Sequence, residues 1–74
     1  MAHKLFILAY DGCQLLDVSG PAAVFGAANE AADKPVYDLQ IVSAEGGLVV
    51  SSCGVALQST KIGGQPDTVL VAGG

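Results

Sequence analysis

Tryptophan is absent from the 74 residues, and there are only two phenylalanines and two tyrosines. Any core must therefore be built from aliphatic side chains. Basic residues are nearly as scarce: three Lys and Arg stand against seven Asp and Glu, for a formal charge of −4. An acidic surface of this kind repels a phosphate backbone, so the segment is not expected to bind nucleic acid by itself. Cys13 and Cys53 lie forty residues apart with no CxxC pair, and His3 is the one histidine, too few ligands for a zinc site. There is no GxGxxG and no GxxxxGK[ST]. No apolar stretch approaches membrane-spanning length, and the run from Leu5 to Tyr10 is too short for a secretory signal. The expectation is a cytoplasmic chain without metal or other cofactor.

What the sequence does contain is aliphatic. Hydrophobic residues make up 51% of the chain, which excludes intrinsic disorder. The length allows one small domain at most. Lys4 to Tyr10 is a continuous apolar run closed by Asp11-Gly12, the pattern of a strand buried on both faces and ended by a turn. From Gln14 to about Ala32 the spacing turns helical, with Leu16, Val24, Phe25, Ala28 and Ala31 or Ala32 on one side and Asn29, Glu30 and Asp33 towards solvent. Pro21 cannot donate to the carbonyl of Asp17, so either the main helix starts near Ser19-Gly20-Pro21 with Ser19 as its cap, or one turn over Leu15 to Val18 is kinked into it; a short first turn followed by the helix proper is expected. Lys34-Pro35 ends the element.

Tyr37 to Ala44 reads as a second strand. Gly46-Gly47 turns into Leu48 to Ser51, and the pieces around Ser51 to Val55 suggest a hairpin or a small β excursion. Gln58 to Pro66 reads as a polar, Gly-rich loop. Thr68 to Ala72 is a further buried strand running into Gly73-Gly74. Strand–helix–strand implies a right-handed crossover and a parallel sheet. Such a sheet needs a layer on each face, yet only one substantial helix is available. Residues 1–74 are therefore expected to be the N-terminal part of one α/β domain, completed by the remainder of a longer chain or by an oligomeric partner.

In open α/β sheets, ligands bind beyond the carboxyl ends of the strands. Three loops lie on that rim: Asp11 to Asp17, Ala44 to Gly47, and Gly73-Gly74. Asp17, flanked by Leu15, Leu16 and Val18, can serve as a proton-holding acid or base, or can merely favour the start of the helix. Gly73 and Gly74 can present backbone amides to an oxyanion, or can form a plain turn. Gly46-Gly47 reads as a turn rather than a phosphate loop, because no helix follows it. Cys13 and Cys53 read as structural, His3 as solvent-facing, and Tyr10 and Tyr37 as strand-end packing.

The ordered set Leu16-Asp17-Val18-Ser19-Gly20-Pro21, Val24-Phe25, Ala28-Asn29, Tyr37…Val42-Ser43, Ser51-Ser52-Cys53-Gly54 and Asp67-Thr68…Val71-Ala72-Gly73-Gly74 resembles the start of ThiJ/PfpI-like domains of the class I glutamine amidotransferase-like superfamily. Within it, the sequence looks most similar to the N-terminal domain of AraC-family transcriptional regulators. The resemblance implies a flavodoxin-like three-layer sandwich with a mostly parallel sheet, dimerisation, a small-molecule effector, and DNA contact only through a C-terminal region outside these residues. Enzymatic relatives such as isonitrile hydratases share the Leu-Asp-x-x-Gly-Pro stretch. In them the aspartate matching Asp17 supports a nucleophilic cysteine, whose position falls beyond Gly74. The sequence thus leaves three roles open: a regulator's ligand-sensing or oligomerisation domain, part of a cysteine-dependent enzyme, and a purely structural fold half whose site has degenerated. Asp17, Gly73 and Gly74 are the candidate site in either of the first two cases.

Overall fold

The computed structural model describes residues 2–74. Strand β1 (His3–Leu8) leads into helix α1 (Leu15–Ala31), then β2 (Tyr37–Ser43), β3 (Gly47–Val50), β4 (Ala56–Lys61) and β5 (Thr68–Val71). The strands form one five-stranded sheet in the order β3-β4-β2-β1-β5. It is a mixed sheet: β5, β1, β2 and β4 pair in parallel, and β3 runs antiparallel to β4 along one edge. The chain is thus an α/β unit with a single helix among the described residues.

The central strand behaves as its composition demands. Leu5, Phe6 and Ile7 are consecutive and all buried, because β1 lies between β2 and β5. Burying each such side chain contributes about 1.5–3 kcal/mol. Ile7 packs with Ala9, Cys13, Val18, Val49 and Ala72, and Leu39, Ile41, Leu57 and Leu70 close around them under α1. Alternation along the strands sends Phe6, Leu8, Val42, Val69 and Val71 to the opposite face. No helix among the described residues covers that face; Phe6 and Val42 are buried on it, whereas Val69 and Val71 towards the β5 edge are exposed.

Three local expectations need correction. Helix α1 starts at Leu15, where the first turn was expected, but it is continuous through Pro21, and its N-cap is Gln14, which makes no side-chain cap, rather than Ser19. An interior proline costs about 3 kcal/mol or more, since it leaves the Asp17 carbonyl without its helical donor. The helix continues because buried Val18 before the proline and Ala22 after it both pack towards the sheet core.

The face that α1 presents to the sheet also differs from expectation. Leu16 and Val24 are exposed at 70% and 65%; Phe25 faces inward as expected, but so do Val18, Ala22 and Asn29. Asn29 was expected in solvent, but its amide clamps the start of β2. It accepts from the Val36 and Tyr37 amides at 3.0 and 2.8 Å and donates to the Tyr37 carbonyl at 2.9 Å.

The third correction is β4, which occupies Ala56–Lys61 where a loop was expected. Its polar residues are strand residues whose hydroxyls are used internally. Ser59 donates to the Gly47 carbonyl at 2.7 Å, so Ser43, at 2.7 Å, must be the donor to Ser59. Ser43 in turn accepts from the Gly46 amide at 2.9 Å. This directed chain of buried hydroxyls fixes the turn between β2 and β3.

Candidate functional site

Strand order sets the place of the site. From β1 the chain moves through α1 to β2 on one side, whereas β5 lies on the other side of β1. Loops leaving adjacent strands in opposite senses open a crevice at their carboxyl ends. The crevice between β1 and β5 is where Asp17, Gly73 and Gly74 lie.

The geometry there is specific. The carboxylate of Asp17, in the first turn of α1, accepts the Gly73 amide at 2.8 Å. The Gly73 carbonyl accepts the Gln14 amide at 2.7 Å. One strand residue back, the Ala72 carbonyl accepts the Tyr10 hydroxyl at 2.9 Å, and the Ala72 amide donates to Leu8 at 3.1 Å. The loop after β1 and the first turn of α1 together therefore hold both backbone groups of Gly73. A Cβ on Gly73 would lie 2.7 Å from Oδ2 of Asp17, so glycine is what allows this approach. A Cβ on Gly74 would sit 3.4 Å from the Tyr10 hydroxyl oxygen.

The three residues singled out in the sequence thus converge at one rim. The Gly73 amide is already donated to Asp17 in this arrangement, so a ligand oxyanion reaching that amide must displace the carboxylate. Sequence reasoning missed Tyr10 and Gln14, which complete the contact. Tyr10 stands two residues past the strand, at the rim itself, and that position was the available signal.

The same loop is tied to the far side of the sheet. The Gly12 amide donates to the Val50 carbonyl at 2.8 Å, the Val50 amide to an Asp11 carboxylate oxygen at 3.0 Å, and the Ser52 amide to the Cys13 carbonyl at 2.8 Å. Between this loop and the β2–β3 turn lies a cleft of about 290 Å³, with Ala9, Tyr10, Asp11, Glu45, Leu48 and Val49 in its lining.

The two cysteines differ sharply. Cys13 is fully buried in the core, as a structural residue should be. Cys53 is exposed, against the structural role expected for it. Its thiol is held below the ordinary value, first by the Ser51 hydroxyl 3.4 Å from Sγ and then by the Val55 backbone. Among the described residues no group of His, Cys, Asp and Glu side chains could hold a metal ion. No described helix is long and apolar enough to cross a membrane.

No protein-family model matches the sequence. A curated relative from Streptomyces lividans, described as an uncharacterized protein in the cpoL 5′ region, is 43% identical over 97% of this chain and 52% of its own length. Among solved structures, the backbone is similar to the crystal structure of an AraC family transcriptional regulator from Pseudomonas putida. The TM-score is 0.82 over 97% of this chain and 47% of that one, at 21% identity. Similarity at that identity shows a shared fold. The chain spans about half the length of both proteins.

Proposed function

We propose that residues 1–74 are the N-terminal part of a ThiJ/PfpI-like domain that senses a small effector, and supports oligomerisation, in an AraC-type transcriptional regulator. The observation that carries this reading is the backbone likeness, at a TM-score of 0.82, to a protein that is itself an AraC family regulator. The charge of −4 agrees with a division of labour in which DNA is contacted by other residues of the protein. The exposed Val69 and Val71 face of the sheet is in keeping with a flavodoxin-like sandwich, in which a further helical layer would cover it.

The second reading is a cysteine-dependent enzyme of the same superfamily with Asp17 as acid or base. What favours it is the position of Asp17 at the β1–β5 crevice, where such chemistry would sit. It has less support, because the Asp17 carboxylate is engaged by the Gly73 amide. The two readings separate in cells that produce the intact, tagged protein. Chromatin immunoprecipitation should recover a small set of promoter regions if the regulator reading holds. Recovery no better than an untagged control would overturn it.

A further inference from the structure

We propose that the cleft between the β1–α1 loop and the β2–β3 turn is the effector subsite, and that it takes a small organic cation, an amine or guanidinium with a short aliphatic part. The inference deepens the sensing role proposed above and rests on it for its biological meaning. The cleft has the dimensions of a metabolite site, about 290 Å³, and it opens at the carboxyl ends of the parallel strands β1 and β2. Ala9, Leu48 and Val49 give it an apolar part.

Two separate features set the sign of the ligand's charge. The first is the pair of carboxylates. Asp11 spends one oxygen on the Val50 amide at 3.0 Å and keeps the other, and Glu45 is exposed in the opposite turn. No Lys or Arg is among the lining residues. The second is Tyr10. Its hydroxyl is committed to the Ala72 carbonyl at 2.9 Å, so what it offers the cleft is its ring, a surface that attracts cations. An anionic ligand would meet two like charges and no free donor side chain, since the Ser43 hydroxyl is donated to Ser59 and the Tyr10 hydroxyl to Ala72. A neutral one could donate a hydrogen bond to a carboxylate but would leave the charge of both uncompensated.

The cleft is also connected to the rest of the rim. Asp11 holds the end of β3, Tyr10 holds Ala72, and the next loop residues hold Gly73. A cation drawn to Asp11 therefore acts on the segment that braces both β3 and β5.

The test is titration calorimetry on the intact protein, without DNA, using n-butylamine against butyrate and n-butanol of matched chain length. Saturable binding of butylamine at about millimolar concentration is expected, with no saturable heat from the other two. Glu45→Gln, and separately Asp11→Asn, which retains a side-chain oxygen for the Val50 amide, should each weaken binding about tenfold. The proposal is overturned if butanol or butyrate binds as well as butylamine, if both variants bind unchanged, or if butylamine gives no saturable heat. Promoter recovery by the same protein is scored separately. Its loss with amine binding intact would sink the regulator reading alone, and the converse would sink the cleft alone.

Discussion

The Asp17 carboxylate and the Gly73 amide meet at 2.8 Å, and the approach exists only because residue 73 has no Cβ. The two residues are 56 positions apart, so the contact joins the start of the helix to the end of the last strand. Asp17→Ala should lower stability by about 1 kcal/mol, the worth of a solvent-exposed bond to a carboxylate. Gly73→Ala should cost a similar amount, about 1 kcal/mol, by expelling the same carboxylate. Since both remove one contact, urea denaturation of the double variant should show a loss well below the sum. Additive losses would mean that the contact contributes nothing.

Gly46 is held to glycine more strictly than Gly73. Its φ is +77°, and a Cβ would lie 2.8 Å from the Lys61 backbone nitrogen. Backbone cannot swing aside as the Asp17 side chain can. Gly46→Ala should therefore cost more than Gly73→Ala, about 2–3 kcal/mol, and should release the turn that Ser43 and Ser59 hold. The comparison of the two denaturation midpoints is the check, and equal midpoints would refute it.

Asn29 is predicted to matter more than its sequence context suggests. Asn29→Ala removes three hydrogen bonds to the Val36–Tyr37 backbone, at a cost of about 2–3 kcal/mol. Asn29→Asp keeps the acceptor for both amides and loses only the donor to the Tyr37 carbonyl, so it should fall between alanine and the native residue. Hydrogen exchange at the Tyr37 amide reports the local loss directly. Unchanged protection in the alanine variant would contradict the clamp.

These positions mark where the sequence was legible and where it was not. The β1 run, the helix and the strands at Tyr37 and Thr68 followed from long apolar patterns, because period and burial dominate there. Asp17, Gly73 and Gly74 could be placed on one rim from strand direction alone. Strand β4 was missed because Gln58, Ser59 and Thr60 look like loop residues until Ser59 is seen bonded to Ser43 and to Gly47. The facing of α1 was missed because an Ala-rich helix with apolar residues on several sides carries little periodic contrast. Asn29 then looked like a solvent residue, although it was the polar group that β2 needed.

Cys53 should be the reactive thiol and Cys13 the silent one, since the first is exposed and the second fully buried. The Ser51 hydroxyl lowers the Cys53 titration, so more thiolate is present at neutral pH than for an unperturbed cysteine. Iodoacetamide at neutral pH should label Cys53 first, with Cys13 modified only on unfolding. Ser51→Ala should raise the titration and slow labelling at neutral pH. The difference should vanish well above the ordinary thiol value, where both forms are thiolate. Equal rates for the two proteins at neutral pH would contradict the role given to Ser51.

Sequence-specific DNA binding by the purified intact protein tests the regulator reading most directly. Fluorescence anisotropy should show one promoter fragment bound at least about a thousandfold more tightly than random DNA at physiological salt. Residues 1–74 alone should bind neither. An intact protein that binds both DNAs equally weakly, while hydrating an isonitrile with a turnover lost in Asp17→Asn, would contradict the regulator reading and establish the enzyme.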